Sequence, residues 1–335
     1  MSKVNFFILK NGIIERKHNT IYLVFKNSDG KLEKRILPVE KIYSIYVHGR
    51  VTIKSGALSY LMRLGVPVHF FNKFGFYEGS FWPRESLVSG DLLVRQVEHY
   101  LEHQKRLNLA RKFVEGAIKN ILVNLQYYNR NEINLSDEIN EISHFLLKLD
   151  QQSSVEELMA IEGNVREIYY KSWNKFLPEH FKFDKRTKMP PENMINALIS
   201  FGNSLVYSAC LTEIYNTQLN PTVSYLHEPS ERRFSLSLDL AEIFKPLIAD
   251  RIIFKLIKQD KIDESYFERE LNYCVLNEKG KRAFLQSFDD KLKTTIKHRS
   301  LKRNVSYRKL IRLEAYKLIK HLLGMKEYKP FVIWW

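Results

Sequence analysis

The sequence predicts an α+β protein, with a small N-terminal β-rich domain followed by a larger all-α domain. Three observations carry this. Up to residue 84, short β-branched and aromatic runs alternate with turn residues. From residue 91 onward, apolar residues recur at helical spacing instead. Between the two, Pro83 interrupts any strand ladder and Ser89-Gly90-Asp91 offers a helix cap. The expected boundaries are therefore residues 1–84 for the β-rich domain, 85–90 for a linker and 91–335 for the helical domain. A chain of 335 residues exceeds one typical domain, so two cores are a reasonable expectation.

In the first domain, strands are expected over Phe6 to Leu9, Ile21 to Phe25, Leu32 to Ile36 and Ile42 to Val47. Asp29-Gly30 between the second and third of these suggests a hairpin, because glycine reaches the positive φ that tight turns need. Ser55 to Leu64 reads as a short helix, and Val66 to Phe71 returns to strand. The aromatic group Phe74, Phe76, Tyr77, Phe81 and Trp82 is expected to pack in a core or a dimer surface. Helices follow at about 91–127, 136–149, 154–176, 191–217, 235–258 and 305–323. Ser154 with Glu157 has capping-box spacing, and Pro246 should kink or end the helix that contains it.

Lys and Arg total 53 against 38 Asp and Glu, a formal net charge of +15, which favours a polyanionic partner. Two cysteines, Cys210 and Cys274, are too few for a disulfide framework or a cysteine zinc site, and fit a reducing cytoplasm. Asn5 to Leu9 is too short for a signal sequence, and no stretch reads as the roughly 20 apolar residues a membrane span requires, so no membrane is expected. The aromatic end Phe331 to Trp335 should pack on the protein or a partner. No His-Glu-x-x-His and no Gly-x-x-x-x-Gly-Lys-Ser/Thr segment occurs, which disfavours a metalloprotease and a P-loop enzyme.

Three residues stand out chemically. Glu162 falls within the helical stripe Val155, Leu158, Met159, Val165 and Tyr169, so its carboxylate is expected to face the core and to need a proton, an ion pair or a metal. Asp239, Glu242 and Asp250 project close together on one helix at 100° per residue, beside the apolar Leu236, Leu240, Ile243 and Leu247. Acids on one face repel unless a cation sits among them. His227 lies in a loop shortly before that helix. One imidazole with two or three carboxylates suits Mg²⁺ or Mn²⁺ better than a closed zinc site. Taken singly, a buried salt bridge for Glu162 and a solvated acidic face for the helix stay open.

Glu162-Gly163, Asn196-Ala197-Leu198-Ile199-Ser200, Leu226-His227 and Asp239-Leu240-Ala241-Glu242 occur in this order, and together the chain resembles the CRISPR-associated adaptation integrases, the "Cas-one" family. The resemblance runs through nearly the whole chain. It implies that the helical domain is catalytic, that Glu162, His227 and Glu242 bind the metal, and that Asp239 is an additional ligand or a supporting acid. It further implies a homodimer joined mainly through the β-rich domains, a complex with the second CRISPR adaptation protein, and double-stranded and branched DNA as substrate. The reaction would be insertion of foreign DNA fragments into the repeat array, by 3′-OH attack on a phosphodiester. Two departures are visible: no glycine precedes Leu219-Asn220-Pro221, and Lys245 stands where an arginine is common.

Two basic segments are candidates for DNA contact. Lys185, Arg186 and Lys188, with Arg232 further on, form one. The other, residues 291–312, holds nine Lys or Arg and no acid, including Lys297, Arg299, Lys302 and Arg303. Such a run attracts phosphates through counterion release without sequence specificity. Tyr207 and Tyr215 could orient a nucleotide, although core packing is the commoner role. The alternative to an enzyme is a catalytically silent nucleic-acid-binding scaffold of a defence complex, which would need no metal.

Overall fold

The computed structural model describes residues 3–131, 133–230, 234–271 and 273–334. The chain divides into two units, Met1–Ser86 and Leu87–Trp335.

The first unit holds two four-stranded sheets. One is ordered β1 (Val4–Ile8), β5 (Ile42–Val47), β7 (Val68–Phe71) and β8 (Tyr77–Phe81), with parallel pairing except for β7 with β8. The other is ordered β4 (Leu32–Leu37), β3 (Thr20–Lys26), β2 (Gly12–Lys17) and β6 (Val51–Ile53). Alternation in β3 buries Ile21, Leu23 and Phe25 on one face. These pack with Ile8, Ile14, Ile45, Val47 and Val68, and with Ala57 and Leu61 of the helix α1 (Ser55–Arg63), as one apolar core. The expected hairpin joins β3 to β4, with Gly30 at φ +76. The strands β2, β6 and β8 were not anticipated: β6 is three residues long, and Gly12 and Gly79 weaken the sequence pattern of the other two. Of the aromatic group, Tyr77 and Trp82 pack against the ring of His69.

The second unit is mainly helical. The expected helix over 91–127 is two helices, α2 (Gly90–Leu101) and α3 (His103–Asn129), separated at Glu102, whose ψ of 108° leaves helical space. Ser89 caps α2 by accepting from the Leu92 amide at 3.3 Å. Then follow α4 (Ser136–Lys148), α5 (Val155–Ser172), α6 (Met194–Tyr215), α7 (Ser235–Phe244) and, after a π-helical turn at Pro246–Asp250, α8 (Arg251–Lys258). Two short hairpins, β9 (Phe267–Glu270) with β10 (Tyr273–Leu276) and β11 (Thr295–Lys297) with β12 (Asn304–Ser306), flank α9 (Glu278–Lys293) and precede α10 (Tyr307–Leu322). The sequence pattern revealed neither hairpin nor α9, since each strand is only three or four residues long and α9 is rich in charge.

By length and composition, α6 could cross a membrane: it has 22 residues and a mean hydropathy of 1.4, contrary to the expectation that no stretch qualifies. Its Ser and Thr residues hid this, yet they bond inward to their own helix, Ser208 Oγ to the Ser204 carbonyl and Thr212 Oγ1 to the Ser208 carbonyl, each at 2.8 Å. Most of its residues are buried within the protein, as in the core helix of a soluble domain. The C-terminal segment packs on the same unit: Phe331 and Ile333 are buried, and Asn120 of α3 bonds the Phe331 carbonyl and the Ile333 amide, each at 2.9 Å.

Candidate metal centre

A capping box fixes the start of α5, with the Glu157 amide donating to Ser154 Oγ at 3.2 Å and the Ser154 amide donating to Glu157 Oε2 at 3.3 Å. Two turns on, Glu162 and Arg166 share a face one turn apart. Arg166 Nε donates to Glu162 Oε1 at 2.8 Å, and its Nη2 donates to Glu242 Oε2 at 2.5 Å. One guanidinium thus joins two of the expected ligands across α5 and α7. Lys245 donates to the other Glu242 oxygen. Glu242 is buried, whereas the Glu162 side chain, expected to face the core, lies at the border of the apolar stripe and is 24% exposed.

Pro246 explains part of this arrangement. It has no amide hydrogen, so the Glu242 carbonyl one turn earlier loses its helical donor. The chain answers with a π turn, in which the Asp250 amide reaches back five residues to the Lys245 carbonyl at 3.1 Å. Side chains serve the carbonyls around it: Arg166 Nη2 approaches the Glu242 oxygen at 3.4 Å, Asn120 donates to Ile243 at 3.1 Å, and Asn124 donates to Pro246 at 2.8 Å. The kink expected at Pro246 is therefore a registered turn. It also moves Asp250 off the straight-helix position. Asp250 is fully buried beside the Tyr169 hydroxyl, and burial pushes its carboxyl up to about 7 although Arg166 acts against it.

His227 is held from the other side. Its Nδ1 lies 2.8 Å from Asp239 Oδ1. Asp239 is fully buried and also accepts from the backbone amides of Tyr225 (2.7 Å), Leu226 (3.1 Å) and His227 (2.9 Å). Both its oxygens are thus committed to shaping the loop. With Nδ1 as the donor to Asp239, the lone pair of neutral His227 is on Nε2.

The charges are strongly coupled. Burial alone would raise Glu242, but Lys245, Arg166 and His227 overcome it and hold this carboxyl well below the usual range. Glu162 moves the other way, raised by burial and by the neighbouring Glu242 charge, with Arg166 opposing. For His227, burial acts to lower the imidazole, and the hydrogen bond and charge of Asp239 outweigh it, so the net shift is upward. Among the described residues no three His, Cys, Asp or Glu side chains stand close enough to hold an ion as arranged. Arg166 bonds one oxygen of each glutamate and Lys245 the other oxygen of Glu242, so a positive charge already sits between the two glutamates.

Of these residues, sequence reasoning missed Arg166, Asn120 and Asn124. Arg166 carried a readable signal in its i, i+4 spacing from Glu162; the two asparagines lie more than a hundred residues from the turn they serve. The Asn196 to Ser200 segment anchors a basic loop: Arg186 donates to Asn196 Oδ1 and Ser200 Oγ, each at 2.9 Å, and Asn196 donates to the Lys185 carbonyl at 2.9 Å. Arg186 is thereby partly committed to the fold, while Lys185 and Lys188 are exposed. Lys297, Arg299, Lys302 and Arg303 are exposed on β11 and the loop to β12. Arg232 lies outside the described residues. Tyr207 accepts the Phe234 amide at 3.2 Å, a bond that positions the start of α7.

The family model for CRISPR associated protein Cas1 matches residues 6–290. A CRISPR-associated protein Cas1 of Methanobrevibacter ruminantium is 54% identical over 335 residues, covering all of both chains. A CRISPR-associated endonuclease Cas1 of Methanothermobacter thermautotrophicus is 53% identical, over all of this chain and 96% of that one. Among solved structures, a Cas1 protein from Thermotoga maritima superposes with a TM-score of 0.86 at 37% identity, covering 98% of this chain and 99% of the other.

Proposed function

Because the chain belongs to the CRISPR-associated Cas1 family, and is with it an endonuclease/integrase of CRISPR adaptation, we propose that Glu162, His227 and Glu242 hold a divalent cation, Mg²⁺ or Mn²⁺, for phosphodiester transfer. The observation that carries this reading is the one guanidinium bridging Glu162 and Glu242, because it marks a place where two carboxylates from separate helices already require a shared cation. The donor set fits the ion: carboxylate oxygens dominate, and a single imidazole is oriented by a buried carboxylate. When bound, such an ion stabilises negative charge on phosphate oxygens and lowers the pKa of the attacking hydroxyl or water.

The chain's own residues do the rest. Asp239 fixes the His227 ring and keeps its proton on Nδ1. Arg166 and Lys245 neutralise the glutamates until the ion arrives, and their release leaves two cations beside the site. Exposed Lys185, Lys188, Lys297, Arg299, Lys302 and Arg303 supply phosphate contacts that position double-stranded or branched DNA. A homodimer through the β-rich unit and a complex with the second adaptation protein complete the proposal. Exposed Leu32 and Ile36 on the edge strand β4 support the first of these.

A half-site integration assay with the second adaptation protein present tests the reading. Glu162→Gln, His227→Ala and Glu242→Gln should each abolish strand transfer while DNA binding in EDTA persists. Full integration by purified Glu162→Ala protein would overturn the ligand assignment and favour a silent scaffold.

A further inference from the structure

Beyond the metal centre, the second unit contains a solvent-open cavity of about 450 Å³ where the start of α8, the end of α9, β11 and the C-terminal segment meet. Its walls carry Arg251, Lys291 and Lys297, with Tyr307 and Trp334. None of the three cations has a carboxylate within salt-bridge distance among the described residues. Arg251 is instead held by neutral groups, donating to Asn124 Oδ1 at 2.8 Å and bonding the Tyr307 hydroxyl. The Lys291 ammonium lies 4.1 Å over the Tyr307 ring. Burial, then the charges of Arg251 and Lys255, push it down to about 7, and no acid offsets them.

Arg251 and Lys291 are half-buried beside an open cavity without a counterion, which is costly, and the exposed Lys297 adds a third positive charge at its edge. An anion would relieve them. A phosphate suits the set, because guanidinium and ammonium groups recognise its oxygens. The aromatic component narrows the choice. Trp334, a half-buried residue, borders the cavity and already carries the Arg299 guanidinium 4.9 Å from its ring centroid, the pairing of ring and cation that single-strand binding surfaces use. The volume falls within the usual range for small-ligand sites.

We propose that this cavity is a nucleotide subsite, with the phosphate seated between Arg251, Lys291 and Lys297 and the base against Trp334. It rests on the family reading only in that a DNA-handling protein would present single-stranded ends to it. It also touches the metal centre mechanically. Asn124, which holds Arg251, donates to the Pro246 carbonyl in the π turn and to the Tyr169 hydroxyl.

The test is fluorescence-anisotropy binding of a labelled oligothymidylate of about ten nucleotides in EDTA, so that no metal chemistry enters. Lys291→Gln and Lys297→Gln should each weaken binding several-fold, and the pair about tenfold or more, with thermal midpoints unchanged. Lys297 is exposed, so its substitution does not endanger folding. Trp334→Leu should weaken binding while Trp334→Phe largely retains it. Thymidine monophosphate should compete, whether the natural ligand is a strand end or a free nucleotide. Unchanged affinity in the double lysine variant would overturn the subsite. Competition by inorganic phosphate equal to that by the nucleotide would also overturn it, leaving an anion site only. Failure of the family reading would look different: Glu242→Gln would retain strand transfer in Mn²⁺, whatever the binding result.

Discussion

Substituting Asp239 by Asn changes one charge and almost no volume, and its consequences can be worked from four hydrogen bonds. Oδ2 accepts from the Tyr225 and Leu226 amides, and Oδ1 accepts from the His227 amide and faces His227 Nδ1. An asparagine amide presents one oxygen and one NH₂, so either orientation sets an N–H against two donors. At roughly 1.5–3 kcal/mol for each bond to a charged group, the cost is about 3–6 kcal/mol where two are lost and about half that where His227 Nδ1 turns acceptor. If the NH₂ faces His227, Nδ1 must accept, the proton moves to Nε2, and the lone pair needed for a metal is lost. Metal affinity should then fall about 10- to 100-fold, the range found when a partner that orients a ligand is removed. Urea denaturation and calorimetric Mn²⁺ titration at neutral pH measure the two effects separately. A variant whose stability stays within about 0.5 kcal/mol of the original, with unchanged Mn²⁺ affinity, would refute the view that Asp239 shapes the loop and orients the imidazole.

Other expectations follow from the same site. Removing Glu242 takes the carboxylate partner from Lys245 and one of the two from Arg166: Glu242→Ala should cost about 3–5 kcal/mol by leaving buried charge unpaired, whereas Glu162→Ala, at a more exposed position, should cost less; denaturant midpoints compare them, and equal costs would contradict the burial difference. Asp250 has a folded-state value of about 7 against an ordinary 3.8, so its contribution to stability is fully present below pH 3.8 and is lost as pH rises to 7. Asp250→Asn should remove that decline, worth a few kcal/mol at about 1.4 kcal/mol per unit, and parallel stability profiles of the two proteins between pH 4 and 8 would refute it. Neutralising Lys297, Arg299, Lys302 and Arg303 together should weaken duplex binding similarly for all sequences and flatten the slope of log affinity against log salt by about 0.9 per lost contact; an unchanged slope would shift the DNA path toward Lys185 and Lys188.

The legible parts of the fold were those written in local periodicity. The strands β3, β4, β5 and β7, the hairpin at Asp29-Gly30, the capping box at Ser154 and the long helices all follow from spacing over a few residues. What escaped was decided elsewhere. The strand β6 is three residues long and gains its place by pairing with β2, nearly forty residues away. The helix α9 is so charged that its buried face, Phe284, Leu285, Phe288 and Leu292, is a minority of its length. Polar side chains that fold back on their own helix hid how apolar α6 is. The break at Glu102 sits in a pattern that spacing alone reads as continuous.

The candidate site divides along the same line. Ordered motifs singled out Glu162, His227 and Glu242, and the crowding of the acids on one helix suggested that a cation sits among them. Crowding alone treats the site as a set of repelling carboxylates, from which removing one should bring relief. The structure reverses that inference for Glu242, because Arg166 from α5 and Lys245 from the end of α7 already supply the positive charge. Arg166 reaches the carbonyl that the missing amide of Pro246 leaves without its helical donor, so the residue that breaks the helix also helps to place the guanidinium that bridges the glutamates. Under the proposed assignment, a divalent ion entering such a site would exchange one set of charge pairs for another. Its affinity would then depend as much on how readily Arg166 and Lys245 let go as on the ligands themselves.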